Sequence, residues 1–230
     1  GGLTDVGMLE FSLAEVRAPI KLELKVFVTN EDQGFASYPV WVYPPVKPVC
    51  PEGVYETAWL DGRAKEVLEG GGTVYLTPPS TSEALPSSIQ AQFTTDFWSV
   101  GTFSQQEGAM GQLIDNAHPL FRDFPTESHT NWQWWPMARQ RAIVLPKNYE
   151  SIITEMDSYA YLRPMTQLLE CRCKGGRLLF SSMGLQKLQK YPEARALLSS
   201  IYRYLISAEF VPRQEIEWEV LQNLVNRTKQ

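Results

Sequence analysis

The sequence predicts an α/β protein: a mostly parallel sheet with flanking helices across residues 46–230, preceded by a separate β-strand segment at residues 1–45. Two observations carry this expectation. The order helix, Gly-Gly, buried strand occurs twice, from Arg63 to Thr77 and from Pro164 to Ser181, and such units place parallel strands beneath covering helices. The first residues instead alternate polar with apolar, the period-two pattern of half-buried strands. With 230 residues, 43% of them hydrophobic and 20% charged, the chain can bury a full core without disulfides or metal.

Near the N-terminus, Leu9, Phe11 and Leu13 alternate with polar neighbours, and Lys21 to Val28 alternates almost strictly. Two strands joined near Ala18-Pro19 and ending at the polar turn Asn30 to Gly34 are marginal as an isolated hairpin, so they need a covering surface. Tyr38 to Tyr43 reads as a further strand, stopped by Pro44-Pro45. Val54 to Trp59 is a short strand. Asp61 is a good N-cap for a helix over Arg63 to Glu69, which Gly70-Gly71-Gly72 ends before the buried strand Thr73 to Thr77. The order then returns. Ser151 to Met156 is a strand, Pro164 to Lys174 a helix stopped by Gly175-Gly176, and Arg177 to Ser181 a strand. Tyr191-Pro192 opens a helix running to Ser207, and Glu215 to Asn226 is amphipathic. Between them, Pro78 to Lys147 has no clear period, and a stretch of that length is functional or docked on a partner.

Charge narrows the function classes. Lys+Arg 21 against Asp+Glu 26 leaves a net charge of −5 with no basic stripe, which argues against nucleic acid as a partner. No apolar run approaches the roughly 20 residues of a membrane-spanning helix. The start, Gly1-Gly2-Leu3, lacks an initiator Met and reads as a boundary inside a longer gene product. Three cysteines do not make a disulfide framework, so the compartment stays open between cytoplasm, periplasm and medium.

The aromatic cluster is the strongest chemical feature. Phe97-Trp98 and Asn131-Trp132-Gln133-Trp134-Trp135 place four of the 7 tryptophans in the aperiodic stretch, with His118, His129, Gln105 and Gln106 nearby. Indole faces beside amides suit sugars, because the apolar face of a pyranose stacks while its hydroxyls pair. The same residues suit cementing a long loop onto the sheet or onto a neighbouring domain, which is the commoner use because large aromatics dominate cores and interfaces. His118 and His129 flank Asp123 and Glu127 at spacings that match no compact metal motif, and no cofactor or metal is expected. Ser181-Ser182-Met183-Gly184 lacks a nucleophile elbow, and Cys171 and Cys173 precede their glycines instead of following a strand. Of the carboxylates, only Glu155 and Asp157 sit at an expected strand end, where a paired-carboxylate glycosidase would need them about 5–5.5 Å apart. Gly70-Gly71-Gly72 precedes a strand instead of opening a helix, so it is no phosphate cradle.

With these residues laid out, the chain resembles the C-terminal portion of bacterial glycoside hydrolase family 2 proteins, the β-galactosidase-like group. The carriers are Val40-Trp41-Val42-Tyr43-Pro44, Gly70 to Val74, Phe97-Trp98-Ser99, Gly108-Ala109-Met110-Gly111, His118-Pro119-Leu120-Phe121, Phe124-Pro125-Thr126-Glu127 and Asn131 to Trp135. The run from His118 to Trp135 is the specific part; the Gly-Gly strand entries are generic. The resemblance implies a flavodoxin-like, or class I glutamine amidotransferase-like, accessory domain following a β-sandwich, of which residues 1–45 would be a remnant. It also implies that the catalytic barrel lies upstream, so no catalytic residue is carried onto this chain. The chain departs from relatives at Ala36-Ser37-Tyr38-Pro39, where they tend to have an Asn-Trp lead-in.

The expectation is therefore a non-catalytic accessory and assembly domain. Its partners would be the catalytic and β-sandwich modules of the same parent chain, a second copy, or an oligosaccharide, with Phe97, Trp98, His118, His129, Trp132, Trp134 and Trp135 as the contact residues. One alternative is a carbohydrate-binding module stacking sugars on the tryptophans. The other is a hydrolase in its own right, using Glu155 or Asp157, or Ser182 with His118 or His129.

Overall fold

The computed structural model describes residues 2–5, 7–27, 35–91, 103 and 107–226. Two compact units partition the chain, Gly1–Pro45 and Val46–Gln230.

The first unit is an antiparallel ribbon of β1 (Ile20–Phe27) and β2 (Phe35–Val42). Opposed pairs Ile20/Val42, Leu22/Val40 and Leu24/Tyr38 put apolar side chains on one face, because directly opposite residues share a face. Lys21, Glu23 and Lys25 take the other, with the Lys21 ammonium 5.7 Å from the centre of the Trp41 ring. The apolar face is uncovered within this unit: Leu22 keeps 36% and Val40 42% of their surface exposed. Lys21 to Phe27 thus pairs with the Tyr38 to Val42 strand, not with the Leu9 to Leu13 stretch as the sequence suggested. Among the described residues that stretch finds no ladder partner, and Leu9, Phe11 and Leu13 are exposed.

In the second unit, β3 (Val54–Thr57), α1 (Gly62–Glu69) and β4 (Thr73–Leu76) form a β-α-β unit of parallel strands. Asp61 caps α1 by accepting from Ala64 N at 2.7 Å, and Gly71 closes the helix at φ +76°. Further strands follow: β5 (Ser88–Gln90), β6 (Gly111–Ile114), β7 (Arg141–Val144), β8 (Ile153–Met156), β9 (Met165–Cys173) and β10 (Gly176–Ser181). Among the described residues they join one sheet in the order β3-β4-β10-β9-β7-β5, with β8 pairing β9 and β6 pairing β8. Only β3, β4 and β10 run parallel; every pairing from β9 onward is antiparallel. The sheet is mixed, not mostly parallel.

The reason lies in β9. Pro164 to Lys174 was expected as a helix, but Met165–Cys173 is a strand joined to β10 by the two residues Lys174 and Gly175. Both have positive φ, +53° and +88°, the backbone of the tight turn whose twist matches a hairpin. The glycine pair therefore turns a hairpin instead of ending a helix. Gly176 has a second duty: a Cβ there would lie 2.7 Å from Leu68 Cα, so α1 packs on the start of β10 only because that position is glycine.

Helices cover both faces. α1 and α4 (Trp218–Leu224) pack Ala64, Leu68, Trp218, Leu221 and Leu224 on a face built from Val74, Leu76, Leu178, Phe180, Leu169 and Cys171. α3 (Pro192–Leu205) meets the opposite face, where Tyr202 sits edge-on to Tyr75 and Tyr204 O–H donates to Glu170 at 2.6 Å. Thr166 and Gln167 form a bulge in β9 opposite Ile153 and Thr154, which re-aims the Gln167 side chain.

Candidate functional site

The stretch from Asp115 to Gln140 is irregular yet pinned at every turn. His118 Nδ1 accepts from Leu120 N at 3.3 Å, capping the short helix Pro119–Phe121. Asn131 Oδ1 accepts from Gln133 N at the start of Trp132–Trp134, while its amide donates to Glu127 Oε2 at 2.9 Å. That helix passes into α2 (Trp135–Ala138). Gln133 donates to Pro125 O at 2.9 Å, and Trp134 Nε1 donates to Thr126 Oγ1 at 3.0 Å.

This turn sorts the tryptophans. Trp134 is wholly buried, edge-on to Phe121 and Phe124 at centroid distances of 6.1 and 5.4 Å. It is a core residue and presents no face to a sugar or partner. Trp132 and Trp135 point outward with 75% and 49% of their surface exposed, their rings 6.0 Å apart. The Arg139 guanidinium lies 5.8 Å from the centre of the Trp135 ring. Beside Trp135 is a cavity of about 280 Å³ lined also by Gln90, Arg139, Gln140, Leu188 and Tyr191. Phe97 and Trp98, with Gln105 and Gln106, lie outside the described residues.

The two histidines do not meet at one site. His129 is exposed, its Nε2 3.7 Å from Glu127. His118 lies in a larger cavity of about 600 Å³, lined also by Asp115, Glu150, Glu170, Tyr204 and Arg213. There its Nε2 is 3.7 Å from Glu170 Oε2, the oxygen that accepts from Tyr204. Burial, then that bond to the Glu170 carboxylate, drives the Tyr204 phenol well above its ordinary pKa, so it stays protonated. Asp123 instead pairs with Arg203 at 3.2 Å. Among the described residues, no three His, Cys, Asp or Glu side chains converge as a metal ion would require.

Of the candidate hydrolytic groups, Asp157 and Ser182 are hydrogen-bonded within the fold, and Glu155 is buried. Asp157 is gripped by the Arg163 guanidinium at 2.8 and 2.9 Å; burial pushes its carboxyl up, but these bonds outweigh it and hold it below the ordinary value. Glu155 is buried, and desolvation pushes it up to about 8. The Ser182 hydroxyl donates to Arg141 O at 2.6 Å, and neither histidine is its partner. Cys171 and Cys173 are buried; desolvation raises both thiols, Cys173 to about 11, the reverse of an activated nucleophile.

Sequence reasoning missed Glu170, Tyr204, Tyr191, Arg139 and the buried amides Gln112 and Gln167. Glu170 and Gln167 were hidden by the helix expected over β9; the two-residue Lys174-Gly175 turn was the signal that would have found the strand. A family model describing a domain of unknown function (DUF8487) matches residues 55–226. No curated protein matches the chain.

Proposed function

We propose, for a chain that belongs to the DUF8487 domain family, that it is a non-catalytic accessory module assembling against other modules of a bacterial, β-galactosidase-like glycoside hydrolase. The observation that carries the assembly reading is the ribbon β1/β2. A two-stranded ribbon is marginal in water, and this one leaves an all-apolar face uncovered within its unit. Such a face is stabilised by a second sheet laid upon it, the arrangement of a β-sandwich. The outward Trp132 and Trp135 add a second apolar surface of the kind interface centres favour. The glycoside hydrolase assignment rests on the resemblance of His118 to Trp135, and the flavodoxin-like assignment on β3-α1-β4 with β10 alongside. Supporting the non-catalytic role, Asp157 and Ser182 are hydrogen-bonded within the fold, and both core thiols are buried.

A second reading has one observation in its favour. The cavity beside Trp135 combines an indole, the Tyr191 ring, two amides and a guanidinium, the mixture that recognises sugars. In that reading Trp135 and Trp132 are the platform and Trp134 is not.

Native mass spectra of the chain incubated with mixed plant and host-type oligosaccharides separate the readings. The account expects a sugar-free, self-associated species. A stoichiometric sugar complex that Trp135→Ala abolishes would establish the binding module instead, and shortened sugars would establish a hydrolase.

A further inference from the structure

A buried chain of amides on the α3 face of the sheet has a fixed direction, set at one end by two backbone carbonyls. Gln167, re-aimed by its bulge, donates from Nε2 to Ala138 O and Gln140 O, both at 3.0 Å. Its amide can face only that way, since a flipped Oε1 would confront two carbonyl oxygens. Oε1 of Gln167 is thereby left to accept, and Gln112 Nε2 donates to it at 2.6 Å. That fixes Gln112 in turn, leaving its Oε1 buried without a donor. Directly across the ladder from Gln112 stands Glu155, and its Oε2 is also buried without a donor. Two buried acceptors without a donor, on directly paired residues, carry the cost that a protein interior imposes on unmatched polar groups.

We propose that Glu155 is carried as the neutral acid, its proton donated to Gln112 Oε1, and that this proton fastens the segment bearing Trp132 and Trp135 to the sheet. The chain then runs without a break from Glu155 through Gln112 and Gln167 to the carbonyls of Ala138 and Gln140, which close α2. Release of the proton to solvent reverses the demand at Gln112 and, through Gln167, loosens the hold on residues 131–140. The Trp132/Trp135 surface is in this way pH-gated, and the gate operates whatever that surface binds.

Among the described residues, the ladder partners of Glu155 are uncharged. Across β6 it faces Gln112, and across β9 Met165. On its own strand side Asp157 follows, already committed to Arg163. The Arg141 guanidinium turns to Ser88 and lies 3.6 Å from Glu107. Burial is the largest influence on Glu155, lifting it from 4.5 to about 8 against a smaller lowering by the Gln112 side chain. A carboxyl raised on folding gives stability that is complete below 4.5 and is lost as pH rises toward about 8.

The test compares the whole chain with Glu155→Gln, whose amide N–H replaces the acid proton. Hydrogen exchange of residues 131–140, corrected for intrinsic rates, should lose protection in the wild type as pH passes about 8 and hold in Glu155→Gln. The wild-type denaturation midpoint should fall from pH 4.5 to 8 relative to that variant. Should the variant fail to fold, the carboxyl carbon-13 shift of Glu155 in the wild type decides alone: a protonated signal at pH 6 is expected. An ionised signal at pH 6, with the second N–H of Gln112 donating to the carboxylate, overturns the proposal, as do coincident pH profiles for the two proteins.

Discussion

The two halves of the sheet are held together by different physics. In the parallel half, β3, β4 and β10 bury Val74, Leu76, Leu178 and Phe180 beneath α1 and α4, and the polar side chains they bury are hydroxyls, those of Thr57, Thr73, Tyr75 and Ser181. In the antiparallel half, β6 to β9 bury Gln112, Arg141, Glu155, Thr166 and Gln167. Each of these amides and charges must find a partner, because an unmatched polar group in the interior costs about 1–3 kcal/mol. The parallel half should tolerate exchange of one apolar residue for another of similar volume, whereas the antiparallel half depends on matching its buried amides and charges. The difference suggests that the first is scaffold and the second is where conditions or partners act.

The largest break in that comparison is Phe180→Ala. Removing a fully buried ring from the scaffold should cost about 3–5 kcal/mol, read as a fall in denaturation midpoint with unchanged slope. A smaller effect sharpens the other half. Asp157→Asn leaves Arg163 without its charged partner and should cost about 1–3 kcal/mol, moderated because that guanidinium is 32% exposed. The sign with pH is opposite to that of Glu155. Asp157 is depressed below 3.8, so its contribution is complete above that value and disappears as pH falls through the folded-state pKa. Acid titration of wild type and Asp157→Asn should therefore converge at low pH, whereas the Glu155 pair converges only below 4.5.

The two halves also differed in legibility. The scaffold could be read from local signals: Asp61 as cap, Gly70 to Gly72 as stop, and Thr73 to Leu76 as a wholly buried run. In β9, apolar residues at 168, 169 and 173 fit a helical period as well as a strand, and a Gly-Gly pair fits a helix end as well as a turn. Pairing with β8 and β10 decided the matter, and no local window contains that information. The same limit governs the site. The concentration of tryptophan at 132–135 was plain, yet which indole faces inward depends on Thr126, Pro125 and Phe124, brought near only by the folded loop. The chain Glu155–Gln112–Gln167 joins three strands and could not be seen from any one of them.

The central claim is that exposed apolar surface on this chain exists for assembly. Sedimentation velocity of the wild type against the double variant Leu22→Lys, Val40→Lys tests it most directly, since both side chains lie on the open ribbon face and neither supports the α/β unit's core. The account predicts concentration-dependent association in the wild type and a folded monomer in the variant. A wild type that stays monomeric at high concentration and binds no apolar dye would contradict it.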